Sequence, residues 1–256
     1  MPPSTPMMID VFSEGQTERG VIEKLCNRTI CPHTLTERGG GGDPLFLDKL
    51  RQFLRDWFAL QLDTREPLRV LVLHDWDKHT GKTIDSLCQS VLSIVQRHQS
   101  DAALVKHTAH ENVFILRTSL NGLSLALHIA NQFYGTSFVK ATIDDYLLDL
   151  ALRQTTAQLL LDSKRQAGAR QQPARDWQIT AEALAKKVWQ EVPELLQRNN
   201  VPDLLEAKDF LRLYATILQQ HTAPAAFAGK VLQHAKEEEI REVFAPLLAA
   251  IQSLAD

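Results

Sequence analysis

Two aspartates one residue apart, Asp75-Trp76-Asp77, close an apolar run over residues 68–73. In an extended chain, side chains two positions apart point the same way, so both carboxylates can reach one hard cation through oxygen. Glu14 stands just past an earlier apolar run, residues 8–12. If the two runs are neighbouring strands, Glu14 faces the aspartate pair across the sheet edge. There it can serve as general acid or base, or as a further metal ligand. Gly15 suits a turn that needs positive φ or close approach of the backbone to a ligand, and Lys78 and Lys82 are placed to contact a substrate phosphate. An aspartate at a strand end can also do no more than open a turn. The crowding of Asp75, Trp76, Asp77, Lys78 and His79 at the end of a buried strand, where open α/β sheets place their ligands, favours a site. The chemistry this set predicts is metal-dependent phosphoryl transfer.

Other motifs carry less. Gly81-Lys82-Thr83 ends like a phosphate-binding loop, but the earlier glycine that loop requires would fall on Trp76. His107-x-x-His110-Glu111 lacks the His-Glu-x-x-His order of a zinc helix and has no third identifiable ligand, so polar surface is the better reading. Lys164, Arg165, Arg170 and Arg175, with Gly168 and Pro173, read as an exposed basic linker that could grip a phosphate backbone or simply be solvated.

The elements that must hold these residues follow from periodicity. Residues 8–12 read as a strand, the Ser-Glu-Gly turn follows, and Val21, Ile22, Leu25 and Cys26 recur at helical spacing. Thr17 is the expected N-cap and Glu18 falls in the first turn, where the helix dipole favours a carboxylate. Residues 29–36 are β-prone but broken by Pro32, which predicts a short or edge strand. Gly39 to Gly42 read as a flexible loop or a flap beside a phosphate-bearing substrate, and Asp43-Pro44 as N-cap and N1 of a helix with an apolar stripe from Leu47 to Phe58. Residues 68–73 are aliphatic except for Arg69, as expected of a strand buried on both faces in a parallel sheet. Thr83 opens the next helix, residues 113–116 form a third strand, and a helix is expected from about 123 to 133 after a cap at Ser119 or Asn121. From Thr142 the texture is helical: Thr142-Ile143-Asp144-Asp145 is a near capping box, and helices are expected over 177–192, 202–221, 224–234 and 237–254. The reading is an α/β fold with a parallel sheet flanked by helices over residues 1–140, followed by an all-helical C-terminal subdomain over 141–256.

At 256 residues and 44% hydrophobic content the chain can bury a substantial core. No run reaches the length of a membrane span and the N-terminus lacks a secretory pattern, so the expectation is a cytoplasmic protein without a membrane role. Cys26, Cys31 and Cys88 form no C-x-x-C pair and read as reduced core or near-core thiols. A net charge of -3 gives no global attraction to nucleic acid, so any such contact is local or bridged by metal.

Strand-Glu14-Gly15-x-Thr17-Glu18-helix followed by strand-Asp75-x-Asp77 resembles the Toprim domain shared by topoisomerases, DnaG-type primases and OLD-family nucleases. The Glu-Gly-Gln-Thr-Glu form is most similar to small Toprim-like proteins related to OLD nucleases and found among bacterial genome-defence genes. The resemblance covers about residues 7–135. It implies Glu14 as general acid or base, Asp75 and Asp77 as holders of Mg²⁺ or Mn²⁺, and Glu18 as a second acidic position that can join the metal site. The function it implies is a metal-dependent nuclease acting on DNA or RNA, with a protein partner or a second copy engaged through the helical half. The alternative is a non-catalytic module that binds metal or nucleic acid or regulates a partner. Some Toprim groups carry a further acid beyond the aspartate pair, whereas residues 121–128 here hold no carboxylate.

Overall fold

The computed structural model describes residues 6–27, 30–38, 40, 42, 45–60, 66–132, 134–135, 138–171, 179–202, 204–218 and 224–255. In chain order the elements are β1 (Met8–Phe12), α1 (Gln16–Asn27), β2 (Thr34–Glu37), α2 (Leu45–Phe58), β3 (Leu68–Asp77), a 3-10 turn (Lys78–Thr80), α3 (Ile84–Gln96), β4 (Ala103–Lys106), β5 (Val113–Arg117), β6 (Leu123–Ala130) and β7 (Lys140–Ala141). Helices follow: α4 (Ile143–Leu152), α5 (Gln154–Gln171), α6 (Ala181–Lys186), a π-helical turn (Lys187–Glu191), α7 (Val192–Arg198), α8 (Ala207–Ile217), α9 (Pro224–His234), α10 (Glu237–Val243) and α11 (Ala245–Gln252).

The sheet runs β2-β1-β3-β6-β5-β4, and β7 pairs with the far end of β3. Strands β2, β1, β3 and β6 are mutually parallel, while β5 is antiparallel to both β6 and β4, and β7 is antiparallel to β3. The protein is therefore α/β with a mostly parallel mixed sheet flanked by helices, rather than a purely parallel one. The expected edge strand near Pro32 exists as β2, at the end of the sheet where Pro is tolerated.

Side-chain alternation along β1 and β3 divides the core between the two faces. Phe12, Val70 and Val72 pack with Phe46, Leu50, Leu87 and Val91 of α2 and α3. Ile9, Val11, Leu71 and Leu73 pack with α1 and with Tyr146, Leu147, Phe244 and Leu247 from the later helices. The helices after residue 142 thus cover one face of the sheet and share a single apolar core with β1 and α1. The aliphatic part of β3, residues 68–73, is buried on both faces because helices lie on both.

Several expectations are corrected. Residues 123–130 form the strand β6, not a helix. The eight-residue run Leu-Ser-Leu-Ala-Leu-His-Ile-Ala sits in the middle of the sheet, and an apolar run that short has no period to separate a buried strand from a buried helix. No cap forms at Ser119 or Asn121. Instead Gly122 turns the chain at φ 90° into β6. Helix α1 begins at Gln16, so Thr17 lies inside the first turn and is not the N-cap, while Glu18 does lie in that turn. Helix α5 runs through residue 171, so the first part of the expected basic linker is helical. Residues 172–178, with Arg175, and the side chains of Arg165 and Arg170 lie outside the described residues. Over the expected 177–192 helix, α6, the π-helical turn and α7 follow one another without a gap through residue 198, and the expected 237–254 helix is divided at Phe244 into α10 and α11. Asp43 and Pro44 also lie outside the described residues.

Two capping expectations hold. Thr83 accepts from the Ser86 amide at 3.1 Å and starts α3. Thr142 accepts from the Asp144 amide at 3.0 Å while Asp145 accepts from the Thr142 amide at 2.8 Å, closing the capping box of α4. The three cysteines carry free thiols, with Cys31 buried and Cys26 and Cys88 half-buried.

Candidate functional site

Glu14 and Asp75 meet at the C-terminal ends of the adjacent parallel strands β1 and β3. The Asp75 amide donates to Glu14 Oε1 at 3.2 Å. His74 Nδ1 lies 2.7 Å from the same Oε1 and 2.8 Å from the Asp75 carbonyl. Both neighbours are acceptors, so Nδ1 carries the proton and His74 holds Glu14 in place. Its other nitrogen, Nε2, is buried with no hydrogen-bond partner, and the ring sits edge-on to Phe46 at 5.1 Å. A buried imidazole with one face on an aromatic ring has little rotational freedom. The Glu14 carboxylate it holds is correspondingly fixed.

Lys140 enters from β7. Its ammonium lies 3.0 Å from Asp75 Oδ2 and 4.0 Å from Glu14 Oε2. Burial by itself would lower the lysine, but the charge and hydrogen bond of Asp75 and the charge of Glu14 outweigh it and hold Lys140 above its ordinary value. The β7–β3 pairing, Asp77 opposite Lys140, is what delivers this cation to the strand end.

Two further carboxyls face the same centre. Glu18, buried on α1, is pushed up to about 8, first by burial and then by the charge of Asp75, with Asp144 and Glu14 adding to it. Gly15 explains how it fits: a Cβ there would lie 2.8 Å from Glu18 Oε2. Gly15 is not at positive φ; it leaves room for the Glu18 carboxyl, a side chain of the same chain. Asp144, at the start of α4, is pushed up to about 7 by burial and by Asp75, with Lys208 pulling the other way. Its Oδ1 is buried without a hydrogen-bond partner. Asp75 itself is raised to about 6, chiefly by burial, with Lys140 opposing and Glu14 reinforcing. Asp145 is raised to about 6 by burial and Asp75, against the Tyr134 and Thr142 amides that donate to it.

The remaining expected site residues make other contacts. Asp77 stays in β3 but accepts from the His79 amide at 2.8 Å, capping the 3-10 turn. Lys78 donates to the Phe138 carbonyl at 3.0 Å. Lys82 is exposed, and its carbonyl accepts from the Trp76 indole at 2.9 Å. Within the glycine run, Gly40 and Gly42 have φ of 95° and 77°, and their amides donate to the Ser13 and Glu14 carbonyls at 2.8 and 3.0 Å. These two glycines are tied to the turn that carries Glu14, which neither a free loop nor a detached flap would be.

The donor set fits a hard divalent cation in its chemistry. Glu14 and Asp75 bring carboxylate oxygen to the ammonium of Lys140, Glu18 and Asp144 are buried within the field of Asp75, and the Asp144 Oδ1 has no hydrogen-bond partner. Glu14, Asp75, Glu18 and Asp144 are the residues that would hold such a cation. Among the described residues, however, no three His, Cys, Asp or Glu side chains are gathered closely enough to hold a metal ion.

His74, Lys140 and Asp144 are the residues that sequence reading missed. His74 alternates to the opposite face from Asp75, Lys140 sits alone in a two-residue strand, and Asp144 was legible only as part of a cap. The fold and site define an α/β protein with a carboxylate-rich centre where its parallel strands end. No family model, curated protein or solved structure matches the chain.

Proposed function

We propose that this protein is a Toprim-like, Mg²⁺- or Mn²⁺-dependent phosphodiesterase that cleaves DNA or RNA. The observation that supports the reading most is the meeting of Glu14 and Asp75 at the ends of two adjacent parallel strands, with Glu18 and Asp144 turned toward them. When bound, the cation would polarise the scissile phosphate and stabilise charge on the leaving oxygen. Glu14, held by His74 and the Asp75 amide, is the general base that accepts the proton of the attacking water. Lys140 limits repulsion among the carboxylates and supplies positive charge near the phosphate. Asp144 is the candidate for the additional acid that residues 121–128 lack, and it comes from the other half of the chain. Asp77 keeps a second oxygen for a cation while its Oδ1 accepts from the His79 amide.

A second reading is a metal- or nucleic-acid-binding module without turnover. It is favoured by one observation: Asp75 already has a cation, Lys140, at 3.0 Å. Calorimetry with Mg²⁺ and Mn²⁺, run beside a cleavage assay on plasmid and single-stranded substrates, separates the two. Cation binding with cleavage supports the enzyme, cation binding without cleavage supports the module, and no cation binding contradicts the enzyme.

A further inference from the structure

Beside the carboxylate centre stands an aromatic surface that the reaction proposed above does not use. Among the described Phe, Tyr and Trp side chains, Tyr134 is the exposed one, at 38%. The Tyr134 amide donates to Asp145 Oδ1 at 2.9 Å, and Asp145 in turn closes the cap of α4. The ring meets Trp189 edge-on at 4.8 Å, and Trp189 packs on Phe138 and Phe210.

Open space lies on both sides of that ring. One cavity of about 200 Å³ is lined by Tyr134 with Gln132, Asp145 and Asp149. A second, of about 320 Å³, is lined by Tyr134 with Trp189, Leu152 and Lys186. Asp145 borders the first cavity and directly follows Asp144 in α4, so this cavity lies next to one member of the carboxylate centre. The π-helical turn places Trp189 here. Pro193 has no amide hydrogen to continue the α-helical ladder, and the Val192 amide reaches back to the Lys187 carbonyl instead.

A half-exposed tyrosine whose amide is hydrogen-bonded, flanked by a tryptophan and by side-chain acceptors, matches what an unpaired base requires. The π-face takes the ring and the acceptors take exocyclic amino hydrogens. A double helix would keep its bases stacked on one another and leave such a surface unused. The acidic character of the first cavity disfavours a phosphate there but accommodates a neutral base edge, while Lys186 at the second supplies the one ammonium lining it. We infer that Tyr134, backed by Trp189, stacks an unpaired nucleobase of a single-stranded nucleic acid beside the carboxylate centre, with Asp149 and Gln132 accepting from the amino group of adenine or cytosine. This inference rests on the nucleic-acid reading above and narrows it to single strands.

The test is fluorescence-anisotropy titration, in EDTA, of the full chain with short labelled oligo-dA and oligo-dC and with an abasic strand of the same length. Base-bearing strands are expected to bind about tenfold more tightly than the abasic strand. Tyr134→Ala should erase that difference and Tyr134→Phe should keep it. Tyr134 is exposed, so both variants are expected to fold, which circular dichroism checks. Equal affinity for base-bearing and abasic strands, an unaltered Tyr134→Ala protein, or no strand binding at all would each overturn the inference. The cleavage reading fails separately. Base-dependent binding without metal-dependent cleavage removes the enzyme and leaves the stacking surface, and cleavage without base-dependent binding does the reverse.

Discussion

At the scale of single residues, the site is held by groups whose partners decide their charge. Lys140 is the cation that Asp75 and Glu14 share, and its removal leaves both carboxylates partly buried and uncompensated. Lys140→Met should therefore lower the melting temperature of the metal-free protein, and Mg²⁺ should raise the melting temperature of this variant more than that of the wild type. Equal Mg²⁺ shifts in the two proteins would show that the cation does not enter beside Asp75. A second buried group makes a different point. His128 sits against Tyr146 and Asn112 at 3.2 and 3.3 Å and is pushed down to about 3, first by burial. Its folded value lies below the unfolded one, so the unfolded chain binds the extra proton and stability falls with acidification once pH drops below that of free histidine. The stability difference between wild type and His128→Gln should shrink by about 1.4 kcal/mol for each pH unit below 6.5, measured by urea titration. A difference that does not move with pH would mean that His128 is not held neutral.

At the scale of elements, the placement of the acids depends on how α1 and α4 are held. Helix α1 lies close on α9: a Cβ at Gly20 would be 2.6 Å from the Ala225 carbonyl oxygen, a backbone atom that cannot step aside. In an open helix Gly→Ala would stabilise by about 1 kcal/mol. Here the overlap wins, and Gly20→Ala should cost about 1–3 kcal/mol in thermal or urea unfolding. Gly229→Ala, which meets only the flexible Lys24 chain at 3.2 Å, should cost much less. The strands β1 and β3, helices α1, α2 and α3, and the cap of α4 were legible in the sequence because each carries either a clear period or a capping residue. Strand β6 was not, since eight mostly apolar residues in the centre of a sheet look the same as a short buried helix. Of the site, Glu14 and Asp75 were legible from their position just past apolar strands. Lys140 and Asp144 were not, because β7 and α4 reach the end of β3 only through long-range packing. Asp77 was grouped with Asp75 on spacing, on the crowding at the strand end and on the family resemblance, and one of its oxygens also caps the turn that follows.

At the scale of the whole molecule, the helices after residue 142 do more than extend the sheet. Their apolar residues join β1 and α1 in one core, and α4 presents Asp144 and Asp145 to the strand ends that carry Glu14 and Asp75. Such convergence places Glu14 and Asp75 at the Lys140 ammonium and brings the buried Glu18 and Asp144 into the field of Asp75, an arrangement that costs stability unless a cation or a substrate offsets it. Phosphodiester cleavage is the reaction we assign to this cost. The most direct measurement follows plasmid and single-stranded DNA or RNA in Mg²⁺ or Mn²⁺ with wild type, Glu14→Gln and Asp75→Asn, each checked for native circular dichroism. The account predicts cleavage that requires the cation and falls at least about a hundredfold in each variant. Cleavage that persists in both folded variants, or a wild-type protein that cuts none of these substrates with either cation, would contradict it.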